Sequence, residues 1–104
     1  MTVEQIEALS PVGEPGIAAL PSAARLDNLA GKTVALLSNG LFRADVVLEA
    51  AAALIKARFP TARVIHWSEL PVLNPMGNVD QGVKELTAAL SEKRPDAVIA
   101  STGA

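Results

Sequence analysis

The sequence predicts an α/β domain built on a small parallel sheet, and three observations support this fold class. Short apolar runs alternate along the chain with two longer segments in which apolar residues recur at spacings of three and four. Proline or glycine stands at most of the junctions between these segments. Half of the 104 residues are apolar and 19% are charged, which is the composition of a packed domain rather than of a disordered segment.

The first half of the predicted domain begins with a strand at Thr33–Leu37 (TVALL), whose unbroken apolar run indicates burial on both faces of the sheet. The turn Ser38-Asn39-Gly40 ends this strand. Asp45 is the predicted N-cap of a helix that runs to about Phe59 and stops before Pro60. The predicted buried stripe of this helix consists of Val47, Leu48, Ala51, Leu54 and Ile55.

The second half repeats the pattern with a strand at Arg63–Trp67 (RVIHW), a loop, a helix capped by Asp80 that runs to about Arg94, and a third buried strand at Ala97–Ala100. The loop contains Pro71, Asn74, Pro75 and Gly77, and the apolar stripe of the helix contains Val83, Leu86 and Leu90. Strands that are joined through helices require right-handed crossovers and a parallel sheet. We therefore expect a three-layer, Rossmann-like half domain over residues 25–104, in the order β-α-β-α-β.

Residues 1–24 differ from the rest because prolines and glycines limit any helix to a single turn near residues 4–9. Their only charged residues are three glutamates, Glu4, Glu7 and Glu14. One interpretation is a frayed terminus. The other is an extended arm that lies on a partner, because Ile17, Leu20 and Leu26 would otherwise contact water. We interpret these residues as an arm.

The predicted sheet is incomplete, because three parallel strands leave at least one edge open. The sequence also stops at Ala104, just after the third strand, where another crossover would normally begin. We therefore expect a second chain, or another copy of this one, to complete the sheet or to cover its edge.

Candidate binding residues lie after the strands, because ligands in open α/β sheets bind beyond the carboxyl ends of the strands. Three segments meet at that edge, at residues 38–45, 67–78 and 101–104. Asn39, Arg43 and helix N–H groups are suited to hold an anion or a carboxylate, although a tight turn followed by a helix cap would leave the same pattern. The predicted substrate-binding residues are Ser38, Asn39, Gly40, Arg43, Ser101, Thr102 and Gly103.

Other kinds of site find little support in the sequence. His66 is the only histidine and is either a structural imidazole or a general base at the strand end. Ser38, Ser68 and Ser101 have no visible base partner, which argues against a hydrolase triad. Trp67, with Pro71, Pro75 and Met76, forms either an apolar lip over a ligand or a contact with a second chain.

Cofactors and several classes of partner are not expected. The chain has no cysteine and one histidine, so a metal site is not predicted, and no glycine-rich nucleotide fingerprint follows the first strand. A net charge of −2 offers no footprint for nucleic acid, and no apolar run is long enough to span a membrane. Because the chain also begins without a secretory signal pattern, we expect a cytoplasmic protein.

A resemblance adds to this interpretation. The chain carries Arg-Leu-Asp at residues 25–27, Leu29, Gly31-Lys32, Asn39-Gly40 and Ala44-Asp45. In this respect the segment 24–55 resembles the N-terminal half of the UGSC-motif proteins, relatives of the selenoprotein B subunit of glycine-reductase-type complexes that contain cysteine or selenocysteine. The segment 95–104 (PDAVIASTGA) resembles the strand that leads into that family's reactive motif.

The departure from the family pattern is equally informative. In the family this strand runs into a Gly-x-(Sec/Cys)-Gly-Ser-Cys-Thr segment, whereas this sequence ends before the pair and contains no cysteine. Three explanations stay open: the frame ends at a selenocysteine codon, the chain is a small subunit whose partner carries the thiol, or the site has been lost.

The resemblance implies the N-terminal half or small subunit of a thiol- or selenol-dependent enzyme, inactive alone, that acts on a small carboxylate- or amine-like substrate. In this hypothesis Asn39 and Arg43 orient the substrate and the backbone of residues 101–103 donates to an anion. The alternative is a non-catalytic interaction subunit of a larger complex. That alternative predicts that Asn39, Arg43 and His66 are dispensable for activity, while loss of residues 1–24 abolishes association.

Overall fold

The computed structural model describes residues 3–14, 16–74 and 76–104. Its elements are β1 (Thr33–Ser38), α1 (Ala44–Arg58), β2 (Arg63–Ile65), α2 (Val79–Lys93) and β3 (Ala97–Ser101), with a short 3-10 turn at Trp67–Glu69. The predicted contributions of Pro15 and Pro75, to the arm and to the apolar lip, lie outside the described residues, as do Met1 and Thr2 of the arm.

The three strands form one parallel sheet in the order β2-β1-β3, so β1 is central. Thr33 of β1 aligns with Arg63 of β2, and Ser38 of β1 aligns with Ser101 of β3. Each strand is separated from the next along the chain by a helix or by a loop and a helix. The predicted fold class, α/β with a small, open parallel sheet in the order β-α-β-α-β, is confirmed.

The core lies between α1 and one face of the sheet. Val34 and Leu36 of β1 and Leu48 of α1 are completely buried, and Ile55 and Ala62 complete the buried cluster. Burial of each large aliphatic side chain contributes roughly 1.5–3 kcal/mol, so these few residues carry much of the stability of the domain. Partly buried neighbours extend the cluster: Leu29, Ala52, Phe59, Val64, Trp67, Ala97 and Ile99.

The opposite face of the sheet is covered less completely. Successive side chains of a strand point to opposite faces, so Leu37 and Ala100 lie on the face that α1 does not cover. Both residues line a cavity together with Leu86 of α2, which places α2 on this second face. No residue of α2 is buried, whereas α1 buries three. The prediction that β3 is buried is wrong, because Val98 on the same face is 45% exposed.

Both predicted helix caps are wrong by two residues. The residue before α1 is Arg43, which adopts a left-handed conformation (φ 66°) and makes no side-chain cap, so Asp45 lies inside the first turn. For α2 the cap is Asn78, whose side-chain oxygen accepts a hydrogen bond from the backbone N–H of Gln81 at 3.1 Å. Asp80 therefore also lies in the first turn, where its charge still favours the helix dipole.

The end of β2 and the buried stripe of α1 also depart from the prediction. The second strand ends at Ile65 because His66 and Glu69 form a reciprocal capping box that closes the 3-10 turn. The stripe predicted for α1 is partly wrong, since Leu48 and Ile55 are buried while Val47 and Leu54 are 57% and 71% exposed.

The described residues of the arm, 3–14 and 16–24, form no helix and no strand, and the single helical turn considered near residues 4–9 is not present. Their large apolar side chains are 82–95% exposed: Val3, Ile6, Leu9, Val12, Ile17 and Leu20. The arm thus offers a row of apolar side chains that its own domain does not cover.

Candidate functional site

The turn after β1 is built around a glycine in a left-handed conformation. Gly40 has φ 75°, and its backbone N–H donates a hydrogen bond of 3.0 Å to the hydroxyl of Ser38. A Cβ at this position would lie 2.6 Å from Cγ1 of Val72, so both the backbone angle and the space favour glycine. The turn therefore brings the segment after β1 into direct contact with the loop after β2.

Asn39 joins this turn to the segment after β3. Its side-chain Oδ1 accepts hydrogen bonds from the backbone N–H of Gly103 at 3.0 Å and from that of Leu41 at 3.1 Å. Its Nδ2 donates to the carbonyl of Gly103 at 3.2 Å, and its backbone N–H donates to the carbonyl of Ser101 at 3.3 Å. The amide of Asn39 thus continues the β1–β3 pairing beyond the last pair of the two strands.

Gly103 approaches the turn so closely that a side chain has no room. A Cβ on Gly103 would overlap the carbonyl oxygen of Phe42 and would lie 2.8 Å from the carbonyl of Leu41. These are backbone atoms, which cannot move aside as a flexible side chain can. Residues 101–103 are therefore docked on the turn by a glycine contact and by the Asn39 amide.

Arg43 lies at the rim of a cavity of about 450 Å³ at the carboxyl edge of the sheet. Its guanidinium stands 5.1 Å from the centre of the Phe42 ring, and the Arg43 side chain is exposed. Because no side chain of the described residues caps α1, the backbone N–H groups at the start of the helix keep the partial positive charge of its N-terminus. We call this space the Arg43 cavity; it is lined by Ser38, Gly40, Leu41, Phe42, Arg43, Asp45, Val46, Trp67 and Val72.

A second cavity, of about 310 Å³, lies on the other side of the turn, between the sheet and α2. We call it the apolar cavity, since most of its wall is aliphatic: Leu37, Pro71, Leu73, Val79, Leu86 and Ala100, with Ser38, Asn39, Ser101 and Thr102 at one end. Ser38 lines both cavities, and it is 8% exposed. The two cavities therefore meet at the end of β1.

His66 belongs to a polar cluster that the sequence did not predict. Nε2 of its ring contacts the carboxylate of Glu49 on α1, and Nδ1 lies 2.7 Å from the hydroxyl of Ser68. The indole N–H of Trp67 donates to the same Glu49 oxygen at 3.0 Å. The hydrogen bonds from His66 and from Trp67 hold the pKa of the Glu49 carboxyl below its ordinary value of 4.5.

The ring orientation follows from its partners. The backbone N–H of Ser68 donates to Nδ1 at 3.2 Å, so this nitrogen is an acceptor, and the hydrogen-bond pattern assigns the ring hydrogen to Nε2, facing Glu49. The prediction that Ser68 has no base partner is therefore wrong, because Nδ1 of His66 lies within hydrogen-bond distance of its hydroxyl. The cluster caps the 3-10 turn and fixes Trp67 at the wall of the Arg43 cavity.

The comparison with protein families now identifies the kind of protein. A family model described as the UGSC family matches residues 7–104, which is most of the chain. The chain belongs to the UGSC family. No curated protein and no solved structure matches it.

In this UGSC-family chain the predicted binding residues fall into two groups. Ser38, Gly40 and Arg43 line the Arg43 cavity, while Asn39, Ser101 and Thr102 line the apolar cavity. The structure leaves their predicted roles as predictions. Gly103 lies between the groups, docked on the turn.

Sequence reasoning missed Glu49, whose only signal was a lone carboxylate in the alanine-rich middle of α1, 17 residues before His66. Within the described ranges of this UGSC-family chain, no three metal-ligating side chains come together, and no helix is long and apolar enough to cross a membrane.

Proposed function

We propose that this UGSC-family chain is the substrate-binding part, an N-terminal half or small subunit, of a thiol- or selenol-dependent enzyme. The reactive cysteine or selenocysteine belongs to another chain or segment, because this sequence contains no cysteine. The observation that carries the proposal is the Arg43 cavity, which combines a cation and an uncapped helix start at the carboxyl edge of a parallel sheet.

The Arg43 cavity suits a small molecule that carries a carboxylate, an amine or both. The exposed guanidinium of Arg43 can bind a carboxylate through two parallel hydrogen bonds. The uncapped N-terminus of α1 favours the same negative charge. Asp45 lines the same cavity and supplies a partner for an ammonium group. A substrate with both groups would therefore be held at both ends.

The apolar cavity extends this site beyond Ser38. Its aliphatic wall can take a small hydrocarbon part of the substrate, since removing apolar surface from water contributes about 25 cal/mol per Å². Asn39 has the role of a positioning residue, because its amide is engaged on the backbone of Gly103. In the assembled enzyme a thiolate or selenolate would supply the nucleophile, and the docked segment 101–103 would set the direction in which that group approaches.

Binding can be tested with the single tryptophan, Trp67, which lines the Arg43 cavity. The chain is titrated with glycine, acetate and propylamine while the tryptophan fluorescence is followed. We expect a saturable change with glycine or acetate, and an affinity about 10-fold or more lower in Arg43→Gln, since a hydrogen bond to a charged group contributes ~1.5–3 kcal/mol.

The matched control is Arg63→Gln, which removes an exposed arginine from the opposite end of the sheet and should leave the titration unchanged. No saturable response to any of the three probes, or equal affinities in Arg43→Gln and the parent chain, would contradict the proposed site.

The exposed arm favours a second candidate function, that of a non-catalytic interaction subunit. This alternative predicts that Arg43→Gln leaves the activity of the reconstituted complex unchanged, while removal of residues 1–24 abolishes association. Steady-state kinetics and a binding measurement on the same two variants distinguish the two functions.

A further inference from the structure

The arm carries an apolar side chain at every third residue between Val3 and Val12. All four of these side chains, Val3, Ile6, Leu9 and Val12, are at least 82% exposed. In an extended chain with three residues per turn and a rise of about 3.1 Å, such residues fall on one side with a spacing of about 9 Å. Four aliphatic side chains on one side of such an extended segment are the pattern of a segment that packs on another surface.

Helix α1 presents an apolar face that nothing in the described residues covers. Six residues of this face are exposed and uncharged: Val46, Val47, Ala50, Ala53, Leu54 and Ala57. At 3.6 residues per turn they occupy about 120° of the helix surface. The large side chains Val47 and Leu54 are about 10.5 Å apart along the axis, close to the spacing of the apolar row on the arm.

At the C-terminal end of α1 the charges are opposite to those of the arm. Between residues 3 and 14 the only charged residues of the arm are glutamates, namely Glu4, Glu7 and Glu14. The C-terminal end of α1 carries Lys56 and Arg58, and Arg63 follows at the start of β2. Within the described ranges none of these six side chains forms an ion pair, because the one pair found joins His66 and Glu49.

We propose that the arm of one copy of this chain packs along α1 of a second copy, with Glu4 and Glu7 of the arm at the basic end of that helix. The reciprocal arrangement gives a two-fold dimer with two identical contacts. A second copy is the occupant because the arm leaves its own domain with its apolar residues exposed, and because row spacing and charge match between arm and helix. This inference does not depend on the proposed function, because it concerns only the dimerisation of the chain.

Sedimentation equilibrium on the full chain tests the proposal. The parent chain should reach twice its monomer mass of 10.8 kDa in the micromolar range. Two double variants, Ile6→Glu/Leu9→Glu in the arm and Val47→Glu/Leu54→Glu on α1, should weaken dimerisation about 10-fold or more, because each replaces two buried apolar side chains with charged ones. The glutamates on α1 would also face the glutamates of the arm. All four positions are at least 57% exposed, so the fold should be kept, and circular dichroism checks this.

Mixing the two double variants distinguishes the arrangement from others. In a mixed dimer the intact arm of one chain meets the intact helix of the other, so equal amounts should restore half of the contacts and part of the dimer. Met76→Glu is the matched control, since it places the same charge on a side chain that is 84% exposed and outside both surfaces. This control should dimerise like the parent chain.

Cross-linking provides a second readout, because the chain has no native cysteine. A chain with Leu9→Cys mixed with a chain with Leu54→Cys should form a disulfide-linked pair on mild oxidation, while Leu9→Cys mixed with Met76→Cys should not. A parent chain that stays monomeric at 100 μM (about the upper limit for a specific weak dimer), an arm variant that still dimerises, or variants that fail to complement each other would each overturn the proposal.

Discussion

At the scale of single residues, Asn39 has the most contacts to backbone groups of another segment. Its side chain satisfies both the N–H and the carbonyl of Gly103 and also accepts from Leu41. A buried backbone group that loses its partner costs about 1–3 kcal/mol. The residue is thus important for the structure, whatever else it binds.

We expect Asn39→Ala to lower the free energy of unfolding by about 1–3 kcal/mol, since the backbone of Gly103 loses its partners. Asn39→Asp should lose less, because it keeps the accepting oxygen and removes only the donated bond. Urea denaturation of the three chains measures both effects. Equal stability of Asn39→Ala and the parent chain would show that the amide does not hold this segment.

Glu49 makes the stability depend on pH in a defined direction. Its pKa in the folded chain lies below the ordinary value of 4.5, so folding favours its charged form. The resulting stabilisation is fully present above pH 4.5 and is lost as the pH falls through the lowered value. We expect Glu49→Gln to melt at a lower temperature than the parent chain at neutral pH and to approach it as the pH falls below 4.5. Thermal melts across this range check the effect.

The control for this prediction is Glu92→Gln, which neutralises an exposed carboxylate on α2 that has no hydrogen-bond partner within the described residues. Its difference from the parent chain should stay small at every pH. A difference for Glu49→Gln that stays the same as the pH falls from 7 to well below 4.5 would contradict the assignment.

At the scale of elements, the contact between the strand end at Gly103 and the turn after β1 depends on the absence of a side chain. Gly103→Ala places a methyl group against the backbone carbonyls of Leu41 and Phe42. We expect a loss of about 1–3 kcal/mol in the free energy of unfolding, as for other overpacked sites. Gly77→Ala is the matched control, because its nearest neighbour would be 3.7 Å away. Guanidinium denaturation that gives the same midpoint for both variants would exclude the close contact.

The strands and their parallel pairing could be predicted because they depend on composition and connectivity alone. The exact helix starts could not, because two polar residues can cap α2 and the chain uses Asn78 where Asp80 was expected. Helix α1 has no side-chain cap at all, so Asp45 could not mark its start. The end of β2 was missed for a similar reason, since Glu69 closes a capping box only when the chain bends after Ile65. These choices depend on backbone angles that the residue pattern does not determine.

The cavity at the carboxyl edge of the sheet was predictable, and the polar cluster beside it was not. The rule that ligands bind beyond the carboxyl ends of parallel strands places Ser38, Gly40 and Arg43 around one cavity, as the structure shows. Glu49 lies within the predicted helix, and nothing in the residue pattern there singles it out. Only the packing of α1 beside the loop after β2 brings its carboxylate to His66 and Trp67.

At the scale of the whole molecule, the two faces of the sheet are covered unequally. Helix α1 seals one face with completely buried side chains, whereas α2 stands over a cavity and buries none. Small domains have little surplus stability, so such an imbalance concentrates the stability on one side of the sheet.

Because the two faces of the sheet are covered unequally, the two helices need not unfold together. Parts of a protein that bury little apolar surface separate from the rest at a lower free energy than global unfolding requires. Helix α2 meets this condition, so we expect it to separate from α1 and the sheet at a lower free energy than global unfolding requires.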